Sequence, residues 1–381
     1  MAATSTVFLT EPQVMIRDAA RRITADVIAP TAAERDRTSA WPHNELKALA
    51  ELGYLGMLIP EEYGGLGLGV TELCLAQHEF ATADAGLATI VHVHNFTASL
   101  IARFGNEAQK RRHLPAMARG ASIGASLISE PHAGSDTAAM RTTARRDGDH
   151  YVLDGTKQFI SNGGEAGVGV VFAITDKAAG KRGASLLIID SKAPGYEVTR
   201  IESKLGQHTA HTAQIALEGC RVPVENLMGN EGDGYGAILG GLSDGRIGIA
   251  FIAAGAASGA LDAAVQYAKE REAYGKAIIH LQAVSFDLAD MAARVEIAFQ
   301  YALHAARLCD AGVECSKEAS IAKLFASEFA EKVCSDALQI HGGYGYLSDF
   351  PVERFYRDVR VCKIYEGTSH IQKLIIARSL L

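Results

Sequence analysis

The chain has 381 residues, 48% hydrophobic and 21% charged, with a formal charge of −7 and a pI near 6.0. At roughly 100–200 residues per domain, that length predicts two or three domains, with ample buried core and no need for disulfide or metal staples. The acidic balance argues against nucleic acid or anionic lipid as partners, since both need clustered Lys and Arg.

In chain order, residues 1–17 lack the basic-then-apolar pattern of a signal peptide and the Arg- and Ser-rich amphipath of a transit peptide. Ile16, Ala20, Ile23 and Val27 then fall on one helical face that is expected to stop at Pro30. Leu46, Leu49 and Leu52 extend the helical pattern to Gly53, and a glycine-rich loop follows at Gly64, Gly65, Gly67 and Gly69. Thr71 and Glu72 carry capping chemistry for the next helix. The segment Ala98 to Gly120 reads as helix and turn, with Pro115 near a helix start.

The period then changes. Ser122–Ser129, Tyr151–Ile160, Val168–Thr175, Ser185–Asp190, Tyr196–Ile201 and Ala213–Val222 are strand-length runs bounded by turn residues. They predict a small barrel or sandwich. Long helical stretches return at Gly236–Glu272, Gln282–Asp310 and Ser316–Ile340, with a shorter one from about Thr368. The fold class is therefore α+β: an N-terminal helical domain (1–121), a middle β-domain (122–234) and a C-terminal four-helix bundle (235–381). The weakly polar run Ile247–Ala264 begins after Arg246, contains Asp262 near its end, and fits a buried helix better than a membrane span. The expectation is a soluble, cytoplasmic protein.

Several familiar chemistries are not supported. The cysteines Cys74, Cys220, Cys309, Cys315, Cys334 and Cys362 form no C-x-x-C pair and read as scattered reduced thiols. Gly163, Gly164, Gly167 and Gly169 precede a strand-like run rather than a helix, which is the wrong order for a dinucleotide fingerprint. There is no Walker lysine motif and no H-E-x-x-H. His92 and His94 stand at i, i+2 without a nearby Cys or carboxylate, so no metal site is assigned.

Five segments carry a specific likeness. Ser126-Leu127-Ile128-Ser129-Glu130-Pro131-His132-Ala133-Gly134-Ser135-Asp136 is a strand exit rich in hydroxyls and backbone donors. Gly155 to Gly163 contains Phe159 and Ser161. Arg271-Glu272-Ala273-Tyr274-Gly275-Lys276 leads to Gln282, and Gln339-Ile340-His341-Gly342-Gly343 closes a helix. Arg357-Asp358-Val359-Arg360 precedes Tyr365-Glu366-Gly367-Thr368-Ser369. Together, in a helix–β–helix order spanning nearly the whole chain, these segments resemble the acyl-CoA dehydrogenase family. The stretch Gly245-Arg246-Ile247-Gly248 looks most like its short-chain and branched-chain branches.

The resemblance implies FAD as cofactor and an acyl-CoA thioester as substrate. It implies that Ser126, Ile128 and Ser129 meet the flavin edge and that Phe159 and Ser161 pack on it. Arg271, Tyr274, Gln282, Gln339, Gly342 and Gly343 would reach the FAD of a neighbouring subunit, with Thr368 and His370 on the FAD side of the last turn. Ser135, Leu242, Ser243, Arg246, Tyr365 and Gly367 would meet the substrate. His94, Asn95, Phe96, Leu242 and Gly245 are placed at the acyl pocket.

Glu366 would be the base that removes the α-proton, the β-hydrogen leaving as hydride to flavin N5 to give a trans-2-enoyl-CoA. Some branches carry the base just before the arginine of the long helix; here that position is Gly245, which has no carboxylate. His370 stands where Gln or Glu is common, and Ser243 where Asp is common. The resemblance further implies a role in fatty-acid β-oxidation, an electron-transfer flavoprotein as electron acceptor, and a homotetramer with a dimer as alternative. An oxidase using O2, a monooxygenase of this fold without the glutamate, and a non-enzymatic DNA-associated relative stay as alternatives. The intact Tyr365-Glu366-Gly367-Thr368 and the acidic charge disfavour the last two.

Overall fold

The structure is a computed structural model that describes residues 9–381, at Leu239 the backbone only. The first eight residues of the leader reading lie outside the described residues. The N-terminal third holds α1 (Glu11–Ile23), α2 (Ala29–Thr38), α3 (His43–Glu51), α4 (Val70–Ala81), α5 (Ala85–Phe104) and α6 (Glu107–Ala118).

Three sequence expectations change here. The first helix does not stop at Pro30: a π-turn over Thr24–Ile28 joins α1 to α2, and the Ala29 N–H reaches back five residues to the Thr24 carbonyl. The wider turn carries the chain past a proline that has no N–H to give. The inserted residue also shifts the face, so Ile28 is fully buried and Val27 only half-buried. Pro115 lies inside α6 rather than near its start. Of the Thr71–Glu72 capping reading, Glu72 holds, its carboxylate accepting from the Gly69 N–H at 3.0 Å, while the Thr71 hydroxyl has no partner among the described residues and a long-range cap joins instead. Asp310, at the end of α8 (Gln282–Asp310), accepts from the Val70 and Thr71 N–H groups at 2.7 and 2.9 Å. A carboxylate there satisfies orphan donors and favours the helix dipole.

The middle domain is built from β1 (Gly124–Leu127), β2 (Thr143–Asp147), β3 (His150–Ser161), β4 (Val168–Ile174), β5 (Ala184–Asp190), β6 (Tyr196–Ile201), β7 (Thr212–Pro223) and β8 (Leu227–Met228). They form one sheet in the order β6-β7-β3-β2-β4-β5-β8, and β1 pairs parallel with β4. Alternation sorts β4: Val171 joins the sheet's own core with Leu127, Leu153, Leu187 and Ile215, while Val170 and Phe172 pack with Phe96, Leu100 and Met117 of the helices. β2, with the polar sequence TARRD, gave no apolar signal in the sequence, and β8, Leu227–Met228, is too short to show a period.

The C-terminal third is α7 (Gly234–Glu270), a hairpin of β9 (Glu272–Ala273) and β10 (Lys276–Ala277), α8, α9 (Ser316–His341), α10 (Val352–Val359) and α11 (Ser369–Arg378). α7 packs along α9, α8, α4 and α5. By length and composition α5 and α7 are apolar enough to cross a membrane, but 89% and 83% of their most apolar windows are buried within the protein. Small residues on α7 (Ala250, Ala253, Ala254, Ala257 and Ala260, each at most 2% exposed) let its neighbours approach closely. The chain thus has a helical N-terminal domain, a middle sheet domain and a helical C-terminal domain.

Candidate active site

Glu366 lies between the 3₁₀ turn Arg360–Lys363 and α11, with φ 52°, and Gly367 follows at φ 91°. A left-handed backbone at a glutamate costs about 1–2 kcal/mol and persists only where the surroundings enforce it. Here three groups do. The fully buried Lys323 on α9 donates from Nζ to the Gly367 carbonyl at 2.7 Å. The fully buried Gln372 donates from Nε2 to the carbonyls of Glu366 and Gly367 at 3.1 and 2.8 Å. Thr368 caps α11, its hydroxyl accepting from the Ile371 N–H. Tyr365 turns inward, its hydroxyl meeting Thr89, Gln207 and Cys362 at 3.2–3.5 Å. His370, one turn residue on, is exposed.

The Glu366 carboxylate lies over Gly245 of α7. A Cβ built at Gly245 would stand 2.7 Å from Oε2, so the close approach needs a glycine. Burial raises the Glu366 carboxyl above its ordinary range, and the cations of Arg246 and Lys323 pull it partly back. Arg246 is 7% exposed, and among the described residues its Nε has no hydrogen-bond partner. None of the described residues accepts from the Glu366 N–H either. A raised carboxylate, an available backbone donor beside it and an uncommitted guanidinium edge form a site that can remove a proton next to a carbonyl and stabilise the oxygen charge that develops.

Toward the helices, a small cavity is lined by Leu58, Val70, Leu73, Cys74, His92, Phe96, Ser99 and Asp244. His92, Phe96 and Ser99 share one face of α5 at i, i+4 and i+7. His94 and Asn95 do not line it, contrary to the expectation of a pocket role. His94 bridges the Leu55 carbonyl and the Gly124 N–H at 2.9 and 3.0 Å, and Asn95 donates to the Tyr54 and Val91 carbonyls. Two residues apart on a helix is about 200° of rotation, so His92 and His94 face different elements. Ser243 is half-buried, its hydroxyl 3.5 Å from that of Ser316, and Leu242 packs against the core shared by α5, α6 and β4.

The residues expected at the flavin edge group at the end of β1. The Ser126 hydroxyl lies 3.0 Å from that of Thr97, Ser129 accepts from the Gln158 N–H at 2.9 Å, and Ser135 is exposed on the loop beyond. Phe159 is 67% exposed with φ 60°, in an irregular register between Lys157 and Ile160. A bulge re-aims a side chain, and a bulky aromatic with positive φ and an open face marks a functional surface rather than core. Ser161 ends the same strand opposite Thr212. Beneath them lies an arrangement that sequence reading missed. The fully buried Lys157 donates to the Ile128 carbonyl at 3.1 Å, the Phe172 carbonyl at 2.7 Å and Glu130 at 2.9 Å. Glu130 also accepts from the Arg141 and Thr142 N–H groups at 2.7 and 3.0 Å. This pair ties the Ile128–Ser129 turn to the Phe159 bulge.

Arg271 and the Gly342–Gly343 pair, far apart in sequence, line one cavity of about 400 Å³ with Tyr267, His341 and Tyr344. The Arg271 guanidinium sits 5.9 Å from the Tyr344 ring centre, and Cβ atoms at either glycine would meet open space. Tyr274, at the tip of the β9–β10 hairpin, is 92% exposed with φ 54°, while Gln282 and Gln339 are exposed at helix ends. A planar cation beside bare backbone suits a diphosphate. This cavity and the Phe159 face fit the two ends of FAD. Sequence reading also missed Lys323, whose signal was a lone cation on the buried face formed by Ala319, Ala322, Ala326 and Ala330.

The geometry fits a flavoprotein that removes a proton beside a thioester carbonyl. Family models agree: acyl-CoA dehydrogenase N-terminal domain over residues 10–121, middle domain over 125–220 and C-terminal domain over 232–381. An acyl-CoA dehydrogenase of Bacillus subtilis is 44% identical over 98% of this chain and 99% of that one. An NADH-dependent acryloyl-CoA reductase of Anaerotignum propionicum is 42% identical over 98% and 95%. The butyryl-CoA dehydrogenase structure from Megasphaera elsdenii superposes with a TM-score of 0.95 at 37% identity, covering 98% of each chain. The chain belongs to the acyl-CoA dehydrogenase family, FAD-dependent enzymes that dehydrogenate acyl-CoA thioesters.

Proposed function

We propose that Glu366 is the base of this acyl-CoA dehydrogenase and that its preferred substrates are short acyl-CoAs. The observation that carries the first part is the Glu366 carboxylate held over Gly245 beside its own available N–H. The thioester carbonyl accepts from that N–H, the carboxylate takes the α-proton, and Arg246 and Lys323 balance its charge. When bound, FAD supplies the hydride acceptor for the β-hydrogen. The short-chain reading rests on the small cavity between α4, α5 and α7, about 10 Å³ in volume, and on the likeness to a butyryl-CoA dehydrogenase. An electron-transfer flavoprotein as acceptor, a cytoplasmic location, a role in β-oxidation and a homotetramer sharing FAD across subunits through Arg271 and Gly342–Gly343 complete the proposal.

Purified protein is expected to be yellow and to bleach anaerobically with butyryl-CoA. Rapid peroxide release on readmitting oxygen would instead indicate an oxidase. The resemblance to an acryloyl-CoA reductase supports a second direction for the same site. With an external reductant, protonated Glu366 returns the proton to the α-carbon, and enoyl-CoA reduction assayed with reduced protein separates the two.

Lys323→Met tests the charge balance. The Glu366 pKa is raised by burial and lowered by Arg246 and Lys323. The base works ionised, so bleaching accelerates as pH rises through that pKa. Removing the Lys323 cation raises it further. The acid limb is expected to move to higher pH, with about tenfold slower bleaching in mild acid and recovery at alkaline pH. An unmoved limb would reduce Lys323 to a holder of the turn.

A further inference from the structure

One buried polar pair is not used by the chemistry above. Gln77 on α4 is fully buried, and His92 on α5 is 3% exposed. Gln77 Nε2 and His92 Nδ1 are 3.3 Å apart. An amide nitrogen only donates, so Nδ1 accepts and Nε2 carries the ring proton. Burial pushes the His92 pKa down to about 4, which keeps the ring neutral. Two atoms are left over: the His92 Nε2–H donor and the Gln77 Oε1 acceptor, both buried and neither with a partner among the described residues. A buried donor or acceptor left without a hydrogen bond is costly, so such a pair calls for an occupant. A donor beside an acceptor is the complement of a hydroxyl group, which accepts from one and donates to the other.

The pair's position says which hydroxyl. His92 lines the small cavity between α4, α5 and α7. Its ring lies against Gly248 of α7, where a built Cβ would come within 2.3 Å of Cε1 and 3.2 Å of Gln77 Oε1. Glu366 lies against Gly245 of the same helix. Three residues separate the two glycines, about 4.5 Å along the axis and nearly one turn. A substrate whose α-carbon meets Glu366 therefore brings atoms three to four bonds further along the acyl chain to the pair, at about 1.5 Å per bond.

We propose that Gln77 and His92 recognise a hydroxyl on the fourth or fifth carbon of the acyl chain, so that short ω-hydroxyacyl-CoA thioesters are preferred over alkyl thioesters of the same length. This rests on the reading of Glu366 as the base. The cavity has room for about one water. A substrate hydroxyl fits that space, accepting from the His92 Nε2–H and donating to Gln77 Oε1, which a methyl group cannot.

The test is anaerobic bleaching of the holoenzyme with 4-hydroxybutyryl-CoA against pentanoyl-CoA, and 5-hydroxypentanoyl-CoA against hexanoyl-CoA, in the native protein and in His92→Phe and Gln77→Leu. The readout is the kcat/KM ratio within each pair, so a general loss of activity in a variant does not mimic the effect. A ratio of about ten or more favouring at least one hydroxyacyl substrate, falling toward or below one in both variants, is expected. A native preference for both alkyl members, or a ratio that neither variant changes, overturns the proposal and leaves an internal water only. Bleaching by butyryl-CoA in that case keeps the dehydrogenase reading intact, whereas no bleaching by any acyl-CoA removes both.

Discussion

Glu366→Gln is expected to remain yellow, to bind acyl-CoA, and to bleach about 10⁴-fold more slowly, the upper range for loss of a general base. Glutamine keeps the shape of the side chain, so the contact over Gly245 and the backbone turn survive. It removes only the ability to take a proton. Glu366→Asp separates position from charge. It keeps the carboxylate but withdraws it by one methylene from Gly245, and a displacement of about 1 Å at a reacting group costs about 100-fold. The expected order is therefore native, then aspartate, then glutamine. A glutamine variant within tenfold of native would remove Glu366 from the reaction. An aspartate variant as slow as glutamine would mean that the placement over Gly245 is as critical as the charge.

What the sequence revealed follows from what is local. The long helices were legible because apolar spacing persists over many turns: α8 begins and ends where its period does, at Gln282 and Asp310. Glu366 was legible because a motif of consecutive residues surrounds it. Long-range partners were not. The cap on α4 comes from Asp310, some 240 residues on, and nothing near Thr71 signals it. The continuation of α1 past Pro30 depends on a π-turn that a helical period cannot express. β2 carries Arg145, Arg146 and Asp147 on an exposed surface, so it is strand by pairing with β3 rather than by composition. At the site, the positions of Phe159 and Tyr274 were legible but not their positive φ angles, which mark both as surface features. His94 and His92 look alike in sequence; only the rotation of α5 assigns one to the scaffold and the other to the small cavity between α4, α5 and α7.

The scaffold under the flavin edge carries the second large effect. Lys157→Met is expected to destabilise the protein by about 3–5 kcal/mol, the cost of breaking a buried ion pair from one side. Burial already pulls the Lys157 ammonium down to about 8 against the attraction of Glu130, so the cation is held there at a cost. Without it, Glu130 keeps the Arg141 and Thr142 N–H groups and the partly exposed His132 ring at 3.5 Å, and the Ile128 and Phe172 carbonyls lose their shared donor. The thermal midpoint should fall by on the order of 5–10 °C. The loss is local to the turn that presents Ile128 and Ser129 beside the Phe159 bulge, so FAD should also dissociate more readily, seen as a higher free-flavin fraction on gel filtration. Lys157→Met combined with Glu130→Leu removes both charges and should recover part of the stability, because an apolar pair does not leave an anion buried alone. It should not recover the flavin affinity, since the Ile128 carbonyl still lacks its donor. Recovery of both would make Lys157 and Glu130 a packing pair; recovery of stability alone assigns them to holding the flavin-edge turn in shape.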